Sequence, residues 1–209
     1  LIKQLAQSPK RVLTVDFDLP GRPSVNIDNE QAAYQSAKAV ISKDDTVAIL
    51  GLRLIDASDT RPVLDAPLWD NQSSIAHRRL DGYQRAMAEY DLILRPDYLW
   101  HIPESNQQFA QYAARSVLAL NPRPTVLLCM SDLIALSAMR EALQLGIAIP
   151  EQLKVVGFDG IDETLRYHPT LSSVWQFSDV KGEAAVRAFL SADNSPQLLP
   201  YQLKLGESS

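Results

Sequence analysis

Two carboxylates, one guanidinium and one amide carry most of the chemistry of this 209-residue chain. Asp16 follows the β-rich run 12–15, Asp159 follows 155–158, and Gln176 ends the run 172–176. Arg79 lies in the opening turns of a helical pattern that starts at Ser73. Ser131 and Asp132 come at the end of the apolar run 125–130 in the same way, as does the loop after Gly51. Ionised carboxylates accept hydrogen bonds from two hydroxyls, and an arginine donates in a fixed fork. Such a set suits a polyhydroxylated small molecule. Trp69, Trp100 and Trp175 could stack on a sugar or base face, or simply pack. Asp16 also reads as a turn residue at a strand end, and Asp132 reads better as a helix N-cap than as a ligand contact.

Catalytic chemistry finds less support. The chain has no glycine-rich phosphate loop, no G-x-S-x-G elbow and no H-E-x-x-H. His77, His101 and His168 are scattered and lack the short pair spacings of common metal sites. The single cysteine, Cys129, sits in the apolar run Val126-Leu127-Leu128-Cys129 and reads as a small buried hydrophobe. Neither a cofactor nor a metal is expected. An enzyme would need a triad assembled in space, and that alternative stays open at this point.

The elements that must position these groups alternate. Runs 12–15, 25–27, 46–50, 125–130, 155–158 and 172–176 read as strands. Segments 29–41, 73–90, 105–120 and 132–145 repeat their apolar residues at helical spacing, as with Ala135, Ala138, Met139 and Ala142. Asp28 with Gln31, and Ser105 with Gln108, have the spacing of capping boxes. Gly146 and Pro150 close the fourth helix. Single helices between strands imply βαβ units and an α/β fold with parallel sheets. Ligands of such sheets bind past the carboxyl ends of the strands, where the polar residues above fall. The stretch 52–71, with four aspartates and two prolines, has no helical period and reads as a long loop.

The composition is that of a globular chain, 46% hydrophobic and 22% charged. A net charge of −5 lacks the basic signature of a nucleic-acid binder, and the densest basic cluster, His77-Arg78-Arg79, is short. One cysteine excludes an internal disulfide and fits a reducing compartment. No signal peptide is recognised, and no apolar run approaches the ~18 residues of a membrane span. A cytoplasmic protein without membrane contact is the expectation. The opening Leu1-Ile2-Lys3-Gln4-Leu5 reads as the interior of a helix, as if the chain were a fragment.

The stretch 125–176 resembles the LacI/GalR family of bacterial transcription repressors. The resemblance rests on Ser131-Asp132 before an alanine-rich helix, on Gly146-Ile147-Ala148-Ile149-Pro150-Glu151, and on Val156-Gly157-Phe158-Asp159. Pro169-Thr170-Leu171-Ser172-Ser173-Val174-Trp175-Gln176 completes it. Val15-Asp16 with Leu19-Pro20-Gly21, the segment 25–30, Arg79-Leu80-Asp81-Gly82-Tyr83 and the final residues 203–209 match less closely. The resemblance implies a two-lobed, periplasmic-binding-protein-like (type I) α/β fold, its first lobe incomplete here. Residues 1–27 plus 177–192 would form the first lobe, and 28–176 plus 193–209 the second. Asp16, Ser73, Arg79, Ser131, Asp159 and Gln176 would contact a sugar or nucleoside effector between them. A homodimer is implied, and operator DNA would be met through a helix-turn-helix head upstream of Leu1. Gly160, in place of an acidic or amide residue, and the long 52–71 loop depart from the family pattern. A periplasmic solute-binding protein of a sugar uptake system, sharing the fold, is the alternative.

Overall fold

The computed structural model describes residues 2–64, 74–191 and 195–209. Ser73 and Trp69 lie outside the described residues. In chain order the elements are α1 (Ile2–Ala6), β1 (Thr14–Val15), β2 (Ser24–Ile27), α2 (Asn29–Lys38), β3 (Val47–Leu52), β4 (Arg61–Pro62), α3 (Ile75–Ala88), β5 (Leu99–Ile102), α4 (Gln107–Leu118), β6 (Val126–Cys129), α5 (Asp132–Gln144), β7 (Lys154–Asp159), α6 (Glu163–Arg166), β8 (Ser172–Trp175), α7 (Ser178–Leu190), β9 (Gln197–Leu199) and β10 (Gln202–Lys204).

Among the described residues the strands form two sheets. The larger runs β10-β8-β7-β6-β3-β5-β4, and the smaller β1-β2-β9. In the larger sheet β8, β7, β6, β3 and β5 are parallel, while the edge strands β10 and β4 run antiparallel. The smaller sheet is parallel throughout. The terminal segment expected wholly in the larger lobe is divided between sheets. β9 pairs with β2 in the smaller sheet and β10 with β8 in the larger, so the chain crosses between them near Pro200.

Strand alternation builds two cores from one sheet. Val47, Ile49, Val126, Leu128, Val156 and Phe158 face α2 and α3. Ala48, Leu50, Leu127, Cys129 and Val155 face α4 and α5. Burial pushes the Cys129 thiol well up, so it packs as the hydrophobe expected. Trp100 packs too, its indole N–H donating to the Asp97 carbonyl. The smaller sheet packs Val25 against Ala184 and Ala188 of α7.

The sequence pattern passed over β5, whose four residues are all buried and show no alternation. His101 on β5 explains much of the loop after β3. Its Nδ1 accepts from the backbone N–H of Leu54 and Ile55, so Nε2 carries the proton and donates to the Ala57 carbonyl. Burial pushes its pKa down, consistent with a neutral structural ring. Asp28 caps α2 through the Gln31 N–H, as its spacing suggested. For α4 the cap is Asn106, not Ser105, because the Asn106 carboxamide accepts from the Phe109 N–H. For α5 the cap is Ser131, whose hydroxyl accepts from the Ile134 N–H. Asp132 is therefore no N-cap. It turns inward, fully buried, accepting from the Gly160 and Ile161 N–H at 2.6 and 2.9 Å and from the Ser173 hydroxyl at 2.5 Å.

Helices α2 and α3 meet closely at Gly82. A Cβ there would run into the Glu30 carbonyl oxygen and come within 2.8 Å of the Tyr34 nitrogen. Alanine gains about 1 kcal/mol of helix propensity over glycine, but backbone contacts cannot yield as a flexible side chain would. Gly82→Ala is expected to lower stability by ~1–3 kcal/mol in urea unfolding, as overpacking does. Gly182→Ala on α7, where the new methyl meets nothing within 4 Å, is expected to raise it slightly.

Candidate functional site

Asp16, Arg79, Ser131, Asp159 and Gln176 converge on one cleft of about 490 Å³. The parallel topology explains why. Asp159 ends β7, Ser131 follows β6, and Gln176 follows β8, all at the same edge of the larger sheet. Arg79 points in from the first turns of α3, and Asp16 stands across from them, just past β1 of the smaller sheet. Phe17, Ser74 and Ser105 complete much of the polar and aromatic rim. Trp100 and Trp175 are not part of this lining, so the stacking role suggested for them is not met there. Arg79 instead lies 3.6 Å from the centroid of the Phe158 ring.

Arg79 is the most deeply buried charge of the cleft, 6% exposed. Its Nε donates to Asn29 Oδ1 at 3.0 Å and its Nη1 to the Met130 carbonyl at 2.6 Å. Asp159 Oδ1 lies 3.8 Å from Nη1, close enough for attraction but too far for a hydrogen bond. Burial lowers the Arg79 pKa, yet guanidinium stays protonated in proteins. The cation is thus held by neutral carbonyls and an aromatic face, with its carboxylate partner only loosely engaged.

Asp159 is pushed up to about 6, first by burial and then by the Asp132 carboxylate behind it, against the opposing pull of Arg79. Its Oδ1 also accepts from Gln176 Nε2 at 2.8 Å. Its backbone sits at φ 130, a conformation side chains rarely adopt. Asp16, at φ 56, and Arg53, at φ 57, also line the cleft at positive φ, and Phe177 at φ 50 follows it. Strained backbone of this kind costs roughly 1–3 kcal/mol per residue and persists only where surroundings enforce it. The Asp132 clamp is one such constraint, since it holds the turn after Asp159 at Gly160 and Ile161.

Two residues that the sequence reading missed complete the site. Asn29 is fully buried and fixes Arg79 from below. Lys181 on α7, 5% exposed, donates to both Asp16 oxygens at 2.6 and 2.9 Å and to Gln176 Oε1 at 2.6 Å. A polar chain therefore runs from Asp16 through Lys181 and Gln176 to Asp159, linking groups from both sheets. Sequence signals for the pair were slight. Asn29 reads as the start of a helix, and a lysine on a helix reads as solvent-facing. Among the described residues no group of three or more histidine, cysteine, aspartate or glutamate side chains could hold a metal.

Residues 64–209 match the family model described as a periplasmic binding protein-like domain. Over 127 residues, 60% of this chain and 37% of the relative, the chain is 33% identical to the ribose operon repressor of Haemophilus influenzae. Over 100 residues, 47% of this chain and 29% of the relative, it is 38% identical to the HTH-type transcriptional repressor PurR of Vibrio cholerae serotype O1. The chain spans about half or less of the length of the curated relatives it matches. The solved structure of a LacI-family transcriptional regulator from Corynebacterium glutamicum superposes with a TM-score of 0.85 at 22% identity. That superposition covers 95% of this chain and 60% of the other, and it shows a shared fold.

The raised Asp159 carboxyl sets a pH dependence. Between its ordinary value of 3.8 and about 6, the folded protein keeps a proton on Asp159 that the unfolded chain has released. Stability conferred by that difference is present at the acid end and falls as pH rises through the window. The melting temperature of the wild-type protein, relative to Asp159→Asn, should fall from about pH 4 to about pH 6 and level off above. A constant gap across that range would assign no burden to this carboxylate.

Proposed function

The chain belongs to the periplasmic binding protein-like domain family, and from that premise we propose that it is the effector-binding part of a transcription repressor that senses a sugar or nucleoside. The observation that carries this reading is the cleft itself. Carboxylates from both sheets, a buried guanidinium and an amide face one volume large enough for a small polar molecule, at the strand ends where such folds bind ligands. The names of the relatives supply the regulatory context. One is a repressor of a ribose operon, and others are HTH-type regulators. They favour a repressor over a solute-binding protein of an uptake system, although both share the fold. They likewise favour a regulator over an enzyme.

In this reading a ligand's hydroxyls donate to Asp159 and Asp16, while Arg79 donates to a ligand oxygen. The 3.8 Å separation of Arg79 and Asp159 leaves both with capacity for a ligand. Because the polar wall draws on both sheets, a bound molecule favours one relative placement of them. It shifts the equilibrium only by its difference in affinity for the two placements. Operator DNA would be read by an N-terminal segment of the whole protein, as a homodimer on a palindromic site. Among the described residues no helix is long and apolar enough to cross a membrane. The cytoplasm is the compartment that suits a DNA-bound sensor.

Calorimetry with a panel that includes D-ribose and adenosine tests the site. At least one neutral sugar or nucleoside should bind the wild-type protein. Arg79→Lys keeps the charge but loses the fork, and should weaken that binding by about tenfold or more, roughly 1.4 kcal/mol. Arg115→Ala, at the distant Glu141 pair, should bind as wild type does. Unchanged affinity in Arg79→Lys would move the ligand out of this cleft.

A further inference from the structure

Lys181 does not line the cleft, but the two residues it holds do. Its ammonium makes three contacts of 2.6–2.9 Å, with Asp16 Oδ1, Asp16 Oδ2 and Gln176 Oε1, matching its three protons. An ammonium only donates and an ionised carboxylate only accepts. Gln176 is therefore locked with its oxygen toward Lys181 and its NH₂ toward Asp159. The same ammonium neutralises Asp16, whereas Arg79 only partly offsets Asp159 across 3.8 Å. Among the described residues, Arg53, the other charged residue of the lining, is exposed at the rim, with its Nε donating to the Pro103 carbonyl.

We propose that Lys181 is a positioning residue that balances the Asp16 carboxylate and so commits the buried wall of the cleft to an uncharged, hydroxyl-rich effector rather than a phosphorylated or carboxylated one. The inference rests on the reading of the cleft as an effector site. An anion entering would lose its water and face Asp16 and Asp159, while Lys181 is spent on Asp16 and Arg79 is partly offset by Asp159 at 3.8 Å. Desolvating a charge without an unspent counter-charge is strongly unfavourable. Neutral hydroxyls meet no such penalty. They donate to the carboxylates and accept from Arg79.

The test uses D-ribose, adenosine and D-ribose 5-phosphate by calorimetry on Lys181→Met, Lys181→Arg, Asp16→Asn and the Lys181→Met/Asp16→Asn double variant. The Asp159 carboxyl is titrated by carbon-13 NMR without ligand. Wild type should prefer a neutral probe to D-ribose 5-phosphate by at least about tenfold. Asp16→Asn leaves Lys181 without its counter-charge and should narrow or reverse that preference. Lys181→Met should weaken the neutral probe about tenfold, with most affinity regained in Lys181→Arg and a double-variant loss smaller than the sum of the singles. Without ligand, Lys181→Met should move the Asp159 midpoint up by about half a unit or more, and Lys181→Arg should restore it. A phosphate preference untouched by Asp16→Asn, or an Asp159 midpoint unmoved in Lys181→Met, overturns the proposal. If no probe binds the wild type, the effector reading falls. The Asp159 titration still decides Lys181's role, by an upward shift or its absence. Should Lys181→Met not fold, Asp16→Asn and Lys181→Arg carry the comparison.

Discussion

A buried guanidinium that is only half answered governs this molecule. Arg79 cannot lose its proton, and leaving a buried cation wholly unpaired would cost several kcal/mol. The fold answers it with the Asn29 carboxamide, the Met130 carbonyl and the Phe158 ring, the last contributing about 2 kcal/mol when desolvated. Each of these comes from a different element, so α2, α3, β6 and β7 must hold register for the charge to be tolerated. The carboxylate that would complete the pairing, Asp159, stands back at 3.8 Å and is itself driven toward protonation. The site is consequently organised but unsatisfied, the condition in which a ligand's hydroxyls have most to offer.

The rest of the architecture serves that arrangement. Parallel strands β6, β7 and β8 deliver their ends to one edge, and the Asp132 clamp holds the turn after β7 against the start of α5. Gly157 makes the clamp possible, because a side chain there would collide with the Asp132 carboxylate. Gly160, at φ 75, similarly gives way to Trp175, whose ring is covered by Lys204. The smaller sheet contributes its share through Asp16 and Lys181, and Gln176 at the crossover joins the two halves electrically. The pairing of Asp16 with Lys181 thus depends on the assembled smaller sheet and α7, and Gln176 carries it to Asp159 of the larger sheet.

Much of this was legible in the order of the residues. The alternation of apolar strands and amphipathic helices identified the parallel sheet, and polar residues past strand ends identified Asp16, Ser131, Asp159 and Gln176 as cleft residues. Four features were hidden for physical reasons. β5 is buried on both faces and so has no period of two. Asp132 carries the residue type and position of a cap, yet its neighbour Ser131 takes that role because its shorter side chain reaches Ile134 while Asp132 is drawn inward by Gly160, Ile161 and Ser173. Lys181 and Asn29 owe their roles to partners far away in sequence, such as Asp16, 165 positions from Lys181, which local patterns cannot register. The division of the terminal segment between sheets escaped for the same reason, since β9 and β10 are three residues each and lie only two residues apart.

The proposed effector would lie against Arg79 and Gln176, which line one cleft. Nitrogen-15 correlation spectra can follow the Arg79 Nε–H and Gln176 NH₂ signals during titration with D-ribose or adenosine. Both signals should shift and saturate with one common affinity, while the NH₂ signals of Gln144, at the far end of α5, and Gln152, before the start of β7, stay in place. Saturating shifts at those remote amides, with Arg79 and Gln176 unmoved, would place the ligand outside the cleft.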